Sequence, residues 1–326
     1  MFEIGHIKFE GTPVLLAPME DVTDPSFRYM CKKFGADMVY TEFISSDGLI
    51  RDGAKSVKKL NIYEHERPVG IQIYGHDKEA MLEAAKIAER ANPDLIDINY
   101  GCPVRKIVRR GAGAGMLKNI PYMIELTRAI VEVVTLPVTV KTRLGWDEQN
   151  KDIVRMAELL QDTGIKAITI HGRTGTQMYK EVSDWTLIAE VKKNPVMHIP
   201  VIGNGDIDSP LKAKEMLEKF PVDGIMIGRA AIGKPWLFGQ VKHFLETGEL
   251  LSEPSVTEKV HIAKEHFQKS VEWKGVPRGI YEMRRHFVHY FKGLPDFKST
   301  RIQLLTSLNQ DEIFSILDHI EEKYGS

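Results

Sequence analysis

The chain has 326 residues, of which 43% are hydrophobic and 27% charged, and its formal net charge is −1. This composition is typical of a globular protein and excludes a disordered chain or a strongly basic one that attracts polyanions over its whole surface. A nucleic-acid partner therefore requires a local basic patch. Cys31 and Cys102 are the only cysteines, too few for a disulfide framework, so we expect a reducing, cytoplasmic location.

The sequence gives no sign of a secretory signal or a membrane span. Residues 1–6 lack a basic region followed by an apolar core, and the apolar runs fall well short of the ~20 residues that cross a bilayer. We therefore expect no membrane partner, and we expect a monomer.

Eight short β-branched runs alternate with amphipathic helical patterns along most of the chain. The predicted strands are residues 14–19, 37–43, 69–74, 95–99, 137–143, 167–171, 199–204 and 224–228, and the clearest helices are 78–90, 121–134, 151–163 and 210–220. This alternation indicates parallel βα units, and eight of them with right-handed crossovers close into an α/β TIM (β/α)8 barrel. An open doubly wound sheet is the alternative, but it rarely uses eight evenly spaced units.

The pattern changes after Gly248. Residues 249–254 read as a linker, and only helical periodicity follows, over about 256–273, 277–292 and two further segments that end near Lys323. We predict a barrel domain of residues 1–248 and a small all-helical domain of residues 255–326.

The segment from Ile96 to Pro103 reads as a buried strand that ends in an amide and a thiol and then turns. Asn99 and Cys102 would lie together at the mouth of the barrel, with Pro103 fixing the turn. The cluster Arg105, Lys106, Arg109 and Arg110 follows directly. A thiol beside cations predicts chemistry on an anionic substrate. Cys31, by contrast, lies among apolar residues at helical spacing and is predicted to be a core residue.

Polar residues follow the predicted strands at the ends where barrels of this kind carry their active sites. Together with Pro18 and Met19 after the first strand, they are Gln72, Asn99 with Cys102, Lys141 with Arg143, His171 with Arg173, Asn204 with Asp206, and Gly228 with Arg229. Any one of them could be a cap or a loop anchor, and Gln72 or His171 alone proves nothing. So many in one barrel predict a lined cavity.

The loops after the last two strands predict a phosphate site. Gly203-Asn204-Gly205-Asp206 and Gly228-Arg229-Ala230-Ala231 place glycines and helix N-termini where backbone amides can approach an anion. Glycines that serve only as tight turns are the alternative. Lys141 and His171 suit an anionic, electron-accepting ring, and Gln72 can pair with a ring edge. A ligand that carries both a phosphate and such a ring matches FMN. No glycine-rich dinucleotide fingerprint follows the first strand.

The chain resembles a known family in five segments. They are Ala17-Pro18-Met19-Glu20-Asp21-Val22-Thr23-Asp24, Asp97-Ile98-Asn99-Tyr100-Gly101-Cys102-Pro103, Ile170-His171-Gly172-Arg173-Thr174, Gly203-Asn204-Gly205-Asp206-Ile207, and the run from Gly228 to Trp236. Together they resemble the tRNA-dihydrouridine synthases, most closely the bacterial B-type. Glu20 and Tyr100 depart from the family pattern, where a small residue often follows Pro-Met and Met commonly precedes Gly-Cys-Pro.

The resemblance implies a flavoenzyme that reduces the C5=C6 bond of particular uridines in tRNA, with NADPH as the source of electrons. It implies that Cys102 donates a proton to C5 while reduced FMN passes hydride to C6. By the same pattern, the ring contacts are Pro18, Met19, Gln72, Lys141 and His171. The phosphate contacts are Asn204, Gly205, Asp206, Gly228 and Arg229. No metal is expected.

A helical domain that binds tRNA is also implied, and the basic helix near residues 278–292 is the best candidate. Arg284 and Arg285 are the predicted RNA contacts, although a solvated face is the alternative. Interleaved aromatic residues are predicted to be core more than stacking platforms, namely Tyr281, Phe287, Tyr290 and Phe291. The other predicted substrate-binding residues are Asn99, Arg105, Lys106 and Arg173.

Three other functions stay open at this point. The first keeps the FMN barrel but reduces a free small molecule such as a pyrimidine base or an enone. The second is a tRNA-binding or chaperone-like protein with a vestigial flavin site. The third is a phosphosugar lyase without redox chemistry, which a colourless protein would favour.

Overall fold

A computed structural model of the protein describes residues 2–325. Two strands form an antiparallel hairpin, and the other nine form one parallel sheet. The strands are β1 (Phe2–Ile4), β2 (Ile7–Phe9), β3 (Val14–Leu16), β4 (Val39–Tyr40), β5 (Ile44–Ser45), β6 (Val69–Tyr74), β7 (Leu95–Asn99), β8 (Val138–Arg143), β9 (Ala167–His171), β10 (Val201–Asn204) and β11 (Gly224–Ile227).

The sheet closes on itself. Its strand order is β3-β11-β10-β9-β8-β7-β6-β4, with β5 also paired to β6. The two ends of this order meet at a parallel bridge between Leu15 and Met38, where the Leu16 N–H donates to the Met38 carbonyl at 2.9 Å. The structure confirms the predicted TIM barrel, and the open doubly wound sheet is excluded.

Helices follow the barrel strands and then form the C-terminal part alone. The helices of the barrel are α1 (Pro25–Lys33), α2 (Ser46–Ile50), α3 (Ala54–Lys58), α4 (Lys78–Arg90), α5 (Arg105–Val108), α6 (Ile120–Val133), α7 (Ile153–Gln161), α8 (Thr186–Lys193), α9 (Pro210–Lys219) and α10 (Leu237–Thr247). The C-terminal helices are α11 (Val256–Lys274), α12 (Arg278–Tyr290), α13 (Lys298–Thr306) and α14 (Gln310–Tyr324). No helix among residues 2–325 is long and apolar enough to cross a membrane.

The predicted strand at residues 37–43 is interrupted in the structure. Tyr40 pairs with Gly70 and Ile44 pairs with Ile73, so one strand advances four residues while β6 advances three. The extra residue acts as a bulge, which breaks the hydrogen-bond ladder and splits the strand into β4 and β5. The β1–β2 hairpin was not predicted, because strands of three residues are too short to show alternation.

Separate hydrophobic clusters lie in the barrel and among the C-terminal helices, and the domain boundary near residues 248–255 stays a prediction. The barrel core combines β-branched residues of the strands with residues of the helices that pack on them, and the fully buried Cys31 of α1 belongs to it, as predicted. The helical core contains Phe287, Tyr290 and Phe291, which confirms that these aromatics are structural, whereas Tyr281 is exposed. Met30 and Trp236 of the barrel also pack into this second core.

A buried charge cluster joins the barrel to the helical part. Asp24 caps α1 by accepting from the Phe27 N–H at 2.9 Å, and it also pairs with Lys274 at the end of α11. Lys274 binds Glu282 of α12 as well, and both Asp24 and Lys274 are almost fully buried. Burial alone would raise the pKa of Asp24, but Lys274 outweighs it and lowers the pKa below its usual range.

We expect Lys274→Met to destabilise the protein by ~3–5 kcal/mol, because it leaves the Asp24 carboxylate buried and unpaired. As a matched control, Lys264→Met breaks more exposed pairs with Asp318 and Glu321 and should cost less than about 1 kcal/mol. Thermal or urea unfolding measures both. Asp24 contributes this stability at pH values above the pKa that it has in the unfolded chain. The difference in free energy of unfolding between wild type and Lys274→Met should therefore narrow as pH falls below about 4. An equal loss of unfolding free energy in the two variants would contradict the conclusion that Lys274 neutralises the buried Asp24 carboxylate.

Candidate active site

A cavity of about 800 Å³ opens at the C-terminal ends of the barrel strands. All of the predicted cofactor-binding residues except Gln72 line it, as do Asn99 and Cys102. Further lining residues come from the end of β8, from the loops after several strands and from α12, among them Glu20, Phe43, Arg143, Tyr179, Lys234 and His289. The polar residues predicted at separate strand ends therefore meet in one hollow.

The Asn99 side chain fixes the position of Cys102. Its Oδ1 accepts from the N–H groups of Gly101 at 3.0 Å and Cys102 at 2.9 Å. Its Nδ2 donates to Gln72 Oε1 at 2.8 Å. A side-chain amide that caps a turn in this way sets the direction of the backbone, and so of the thiol that follows it.

The support for Asn99 continues into the barrel. Gln72 Nε2 donates to Asp97 Oδ2 at 2.5 Å, and Thr139 Oγ1 donates to the other oxygen of Asp97 at 2.6 Å. Gln72 is completely buried and does not line the cavity. The structure thus places Gln72 beneath the cavity as a link between Asp97 and Asn99, while its predicted contact with a flavin ring stays a prediction.

Lys141 reaches the centre of the cavity from β8. Its Nζ donates to Asn204 Oδ1 at 3.0 Å, and Asn204 Nδ2 donates in turn to the Met226 carbonyl at 2.8 Å. Burial, with a further contribution from Arg143, lowers the pKa of Lys141 to about 8. The ammonium is therefore oriented by an amide and has no carboxylate within salt-bridge distance among the described residues, so it can bind an anionic or electron-rich group.

Arg173 organises the loops after β9 and β10. Its guanidinium donates to both carboxylate oxygens of Asp206, at 2.8 and 2.6 Å, and contacts His171 Nε2 at 3.0 Å. Because a guanidinium only donates, Nε2 of His171 accepts and the proton lies on Nδ1. Burial and the neighbouring cations, Arg143 first, lower the pKa of His171 well below its usual value, so the ring is neutral.

Cys102 lies at the boundary between this cationic region and the rest of the cavity. Arg143 Nε donates to the Gly101 carbonyl at 2.6 Å, which brings the guanidinium next to the turn that carries the thiol. Burial raises the pKa of Cys102, whereas the Val104 amide and Arg143 act in the opposite direction. Cys102 is only 7% exposed, and its thiol is protonated at neutral pH, since even the unperturbed pKa of a cysteine is about 8.5.

The loops after β10 and β11 have the properties of an anion site. No backbone carbonyl in the described chain accepts from the N–H groups of Gly205, Asp206, Arg229 or Ala230, all of which line the cavity. Gly205 has φ +127° and Asp206 has φ +56°, a left-handed pair that exposes consecutive amides. The Arg229 side chain is 54% exposed beside them.

The remaining predicted substrate contacts lie outside the cavity. Arg105 and Lys106 are exposed on α5, directly after the lining residue Val104. Arg173 is buried behind the cavity wall. Arg284 and Arg285 are half-buried on α12, where Arg284 donates to the carbonyls of Thr306 and Ser307 at 3.3 and 3.4 Å. His286 of the same helix is buried against Phe27 and offers no surface charge.

Comparison with known proteins identifies the family. The model of the dihydrouridine synthase family matches residues 15–322. The chain belongs to this family. A probable tRNA-dihydrouridine synthase of Rickettsia bellii is 38% identical over 327 residues, covering 100% of this chain and 98% of the relative. The tRNA-dihydrouridine synthase B of Pseudomonas aeruginosa is 38% identical over 290 residues, covering 89% of this chain and 87% of the relative. The predicted family and the prediction of an oxidoreductase are confirmed.

Solved structures show the same barrel at much lower identity. Morphinone reductase has a TM-score of 0.54 at 14% identity, covering 77% of this chain and 90% of that one. A 2-naphthoyl-CoA reductase has a TM-score of 0.60 at 11% identity, covering 74% and 51%. These likenesses concern the fold alone.

Sequence reasoning did not single out two of the residues that shape the site. Asp97 shares a strand face with Asn99, and this period-two spacing was a usable signal because both point into the barrel. Tyr179 lies in the loop after β9, where its ring is 5.6 Å from Arg143 and 5.0 Å from Arg229. No sequence pattern connects it to those arginines, since the contacts exist only once the loop folds over the barrel.

The buried carboxylate of Asp97 predicts a pH-dependent stability. Burial raises its pKa to about 6, despite the hydrogen bonds from Gln72 and Thr139. The folded state therefore keeps this proton to a higher pH than the unfolded chain does, and the free energy of unfolding should fall by about 2–3 kcal/mol between pH 4 and pH 7 through this group. Asp97→Asn should remove this slope, as measured by urea unfolding at about pH 4.5 and pH 7.5.

Thr139→Val should have the opposite effect to Asp97→Asn, because it deletes a hydrogen-bond donor that favours the ionised form of Asp97. The free energy of unfolding of this variant should depend more steeply on pH than that of wild type. An unchanged slope in Asp97→Asn would show that the carboxylate does not titrate in this range.

Proposed function

We propose that this protein is an FMN-dependent tRNA-dihydrouridine synthase that reduces the C5=C6 bond of specific uridines in tRNA with electrons from NADPH. The observation that carries the proposal is a single cavity in which a buried thiol, Cys102, shares the wall with Lys141 and with the unpaired amides of the β10 and β11 loops. Membership of the family supports it. We further propose that the enzyme is a cytoplasmic monomer with barrel and helical domains at residues 1–248 and 255–326.

The residues of the cavity fit a flavin mononucleotide. Gly205, Asp206, Arg229 and Ala230 offer backbone amides, and Arg229 a cation, to the phosphate. Lys141 suits the part of the ring that becomes electron-rich on reduction, and neutral His171 carries its proton on Nδ1. Pro18 and Met19 supply an apolar wall. When bound, the flavin supplies the hydride that adds to C6 of uracil.

Cys102 supplies the matching proton. A protonated thiol held by the Asn99 turn can donate to C5 of a uracil placed beside it, and the anion that remains is stabilised by Arg143 and Lys141. Low exposure of the thiol keeps water from competing for the site. Asn99 acts here as the residue that aims the thiol.

The uridine has to leave its stack to reach this depth, so the enzyme needs backbone contacts outside the cavity. A track of cations leads from the cavity rim to the helical part, through a second hollow of about 340 Å³. None of these side chains has a carboxylate within salt-bridge distance among the described residues; they are Lys234, Lys292, Lys298 and Arg301. We propose that RNA phosphates bind along this track, with Arg105, Lys106, Arg284 and Arg285 as outer contacts.

Cys102→Ala tests the proposed function directly. We expect the variant to remain yellow and to bind tRNA, but to form dihydrouridine at least about 100-fold more slowly, since a positioned general acid contributes about 10²–10⁴. Mass spectrometry of tRNA nucleosides measures the product. Cys31→Ala is the matched control, because that thiol is fully buried away from the cavity and its loss should leave the rate unchanged. Full activity in Cys102→Ala would refute the acid role.

The cationic track makes a separate prediction. The variant Lys292→Ala/Lys298→Ala/Arg301→Ala should bind tRNA more weakly, because it removes three cations that can neutralise phosphates. The slope of log Kd against log salt concentration should become shallower by about 1 for each phosphate that the variant leaves without a cation. Flavin content should not change.

Arg284→Ala/Arg285→Ala should have a smaller effect, because Arg284 is already engaged with backbone carbonyls. If the triple variant binds tRNA as wild type does at every salt concentration, the RNA surface lies elsewhere.

A further inference from the structure

An acidic wall stands on one side of the cavity, and family resemblance did not account for it. It consists of Glu20, Asp21 and Glu42, whose carboxylate oxygens lie within 4.8 Å of one another, together with Lys59. Lys59 Nζ contacts Glu20 at 2.6 Å and Glu42 at 3.4 Å. The Asp21 N–H donates to Glu42 at 2.8 Å, which fixes the turn after β3. Three carboxylates against one ammonium leave this wall negative.

Of the acidic wall, only Glu20 lines the cavity. Its Oε1 is bound by Lys59, but its Oε2 is shielded from solvent and has no hydrogen-bond partner in the described structure. A carboxylate that is partly shielded from water is screened less than an exposed one. Lys59 is shared between Glu20 and Glu42, so part of the negative charge of Glu20 stays uncompensated at the cavity wall.

The barrel places this wall opposite the cations. Glu20 follows β3, and Lys141 and Arg143 belong to β8, which is four strands away around the ring of eight. Strands four apart in such a ring lie across its diameter. Cys102, at the end of the neighbouring β7, thus experiences cations from one side and a carboxylate from the other.

The charges around the thiol have opposing consequences. Arg143 and Lys141 favour the thiolate, which cannot donate a proton, and the Val104 amide acts in the same direction. Glu20 favours the thiol. Two phenols, Tyr74 on β6 and Tyr179 after β9, also face Cys102.

We propose that Glu20 is a positioning residue that adds to burial in keeping the Cys102 thiol protonated, by holding a carboxylate across the barrel from Lys141 and Arg143. This role rests on the proposed function, because only a general acid needs its proton at neutral pH. It gives a reason for an acidic residue at the position where the family commonly has a small one. Lys59 then serves to hold Glu20 ionised against its own burial, since burial raises the pKa of Glu20 and Lys59 opposes it.

The test is the pH dependence of Cys102 alkylation by iodoacetamide in the purified full-length protein. We expect Glu20→Gln to move the midpoint to lower pH by about half a unit, which makes alkylation near pH 7.5 about threefold faster. Glutamine keeps the size of the side chain, so a change in access would alter the plateau rate and leave the midpoint in place. Cys102→Ser reports any labelling of Cys31.

Glu42→Gln is the matched control, because it removes the same charge from the acidic wall at a residue that does not line the cavity. Its midpoint should move less than that of Glu20→Gln. A Glu20→Gln profile that superimposes on wild type, moves to higher pH, or moves no further than that of Glu42→Gln would overturn the proposal. Alkylation needs neither tRNA nor NADPH, so its outcome is separate from whether the protein forms dihydrouridine.

A second measurement links the charge to turnover. The alkaline limb of the pH profile for dihydrouridine formation should move to lower pH in Glu20→Gln, while the rate on the acidic side of the limb stays near that of wild type. A uniform loss of rate at all pH values would instead indicate a structural role and would contradict the proposal.

Discussion

The position of Cys102 depends on one carboxamide. Asn99 accepts from two successive backbone amides and donates to Gln72, and each of its polar atoms thereby acquires a fixed partner. Gln72 is held in turn by Asp97, which is buried in the barrel. A hydrogen-bonded series of this kind transmits the rigidity of the parallel sheet to a loop residue, and a reactive group gains from such support because misplacement by about 1 Å costs rate.

The electrostatics of the cavity follow from the barrel topology. Each strand delivers one or two polar side chains to the same end, and strand order decides which charges become neighbours and which face one another. Lys141 and Arg143 share β8, and Arg173 and Asp206 meet through adjacent loops. Glu20 enters from across the ring. The result is a cavity with a cationic side that can bind an anion and an acidic side that includes Glu20.

The helical part completes the site as well as extending it. The buried Asp24–Lys274 contact joins α1 to α11 and brings α12 to the barrel rim. His289 and Lys292 of that region line the cavity directly. One of the interactions that join the two parts thus also brings the cationic track to the cavity. Cations that have no carboxylate partner among residues 2–325 suit the RNA backbone that we propose to bind there, because phosphate contacts position a nucleic acid without reading its sequence.

The sequence by itself determined the barrel, the helical C-terminal part and most of the cavity lining, because period-two and helical spacing depend on local geometry and strand ends converge in any parallel barrel. It also identified Cys102 and the β10 and β11 loops. Only the tertiary structure decided that Gln72 lies beneath the cavity, that Arg284 is engaged with carbonyls, and that Glu20 lines the cavity. Those outcomes depend on contacts between residues far apart in the chain, and no local pattern encodes which distant group arrives beside a given side chain.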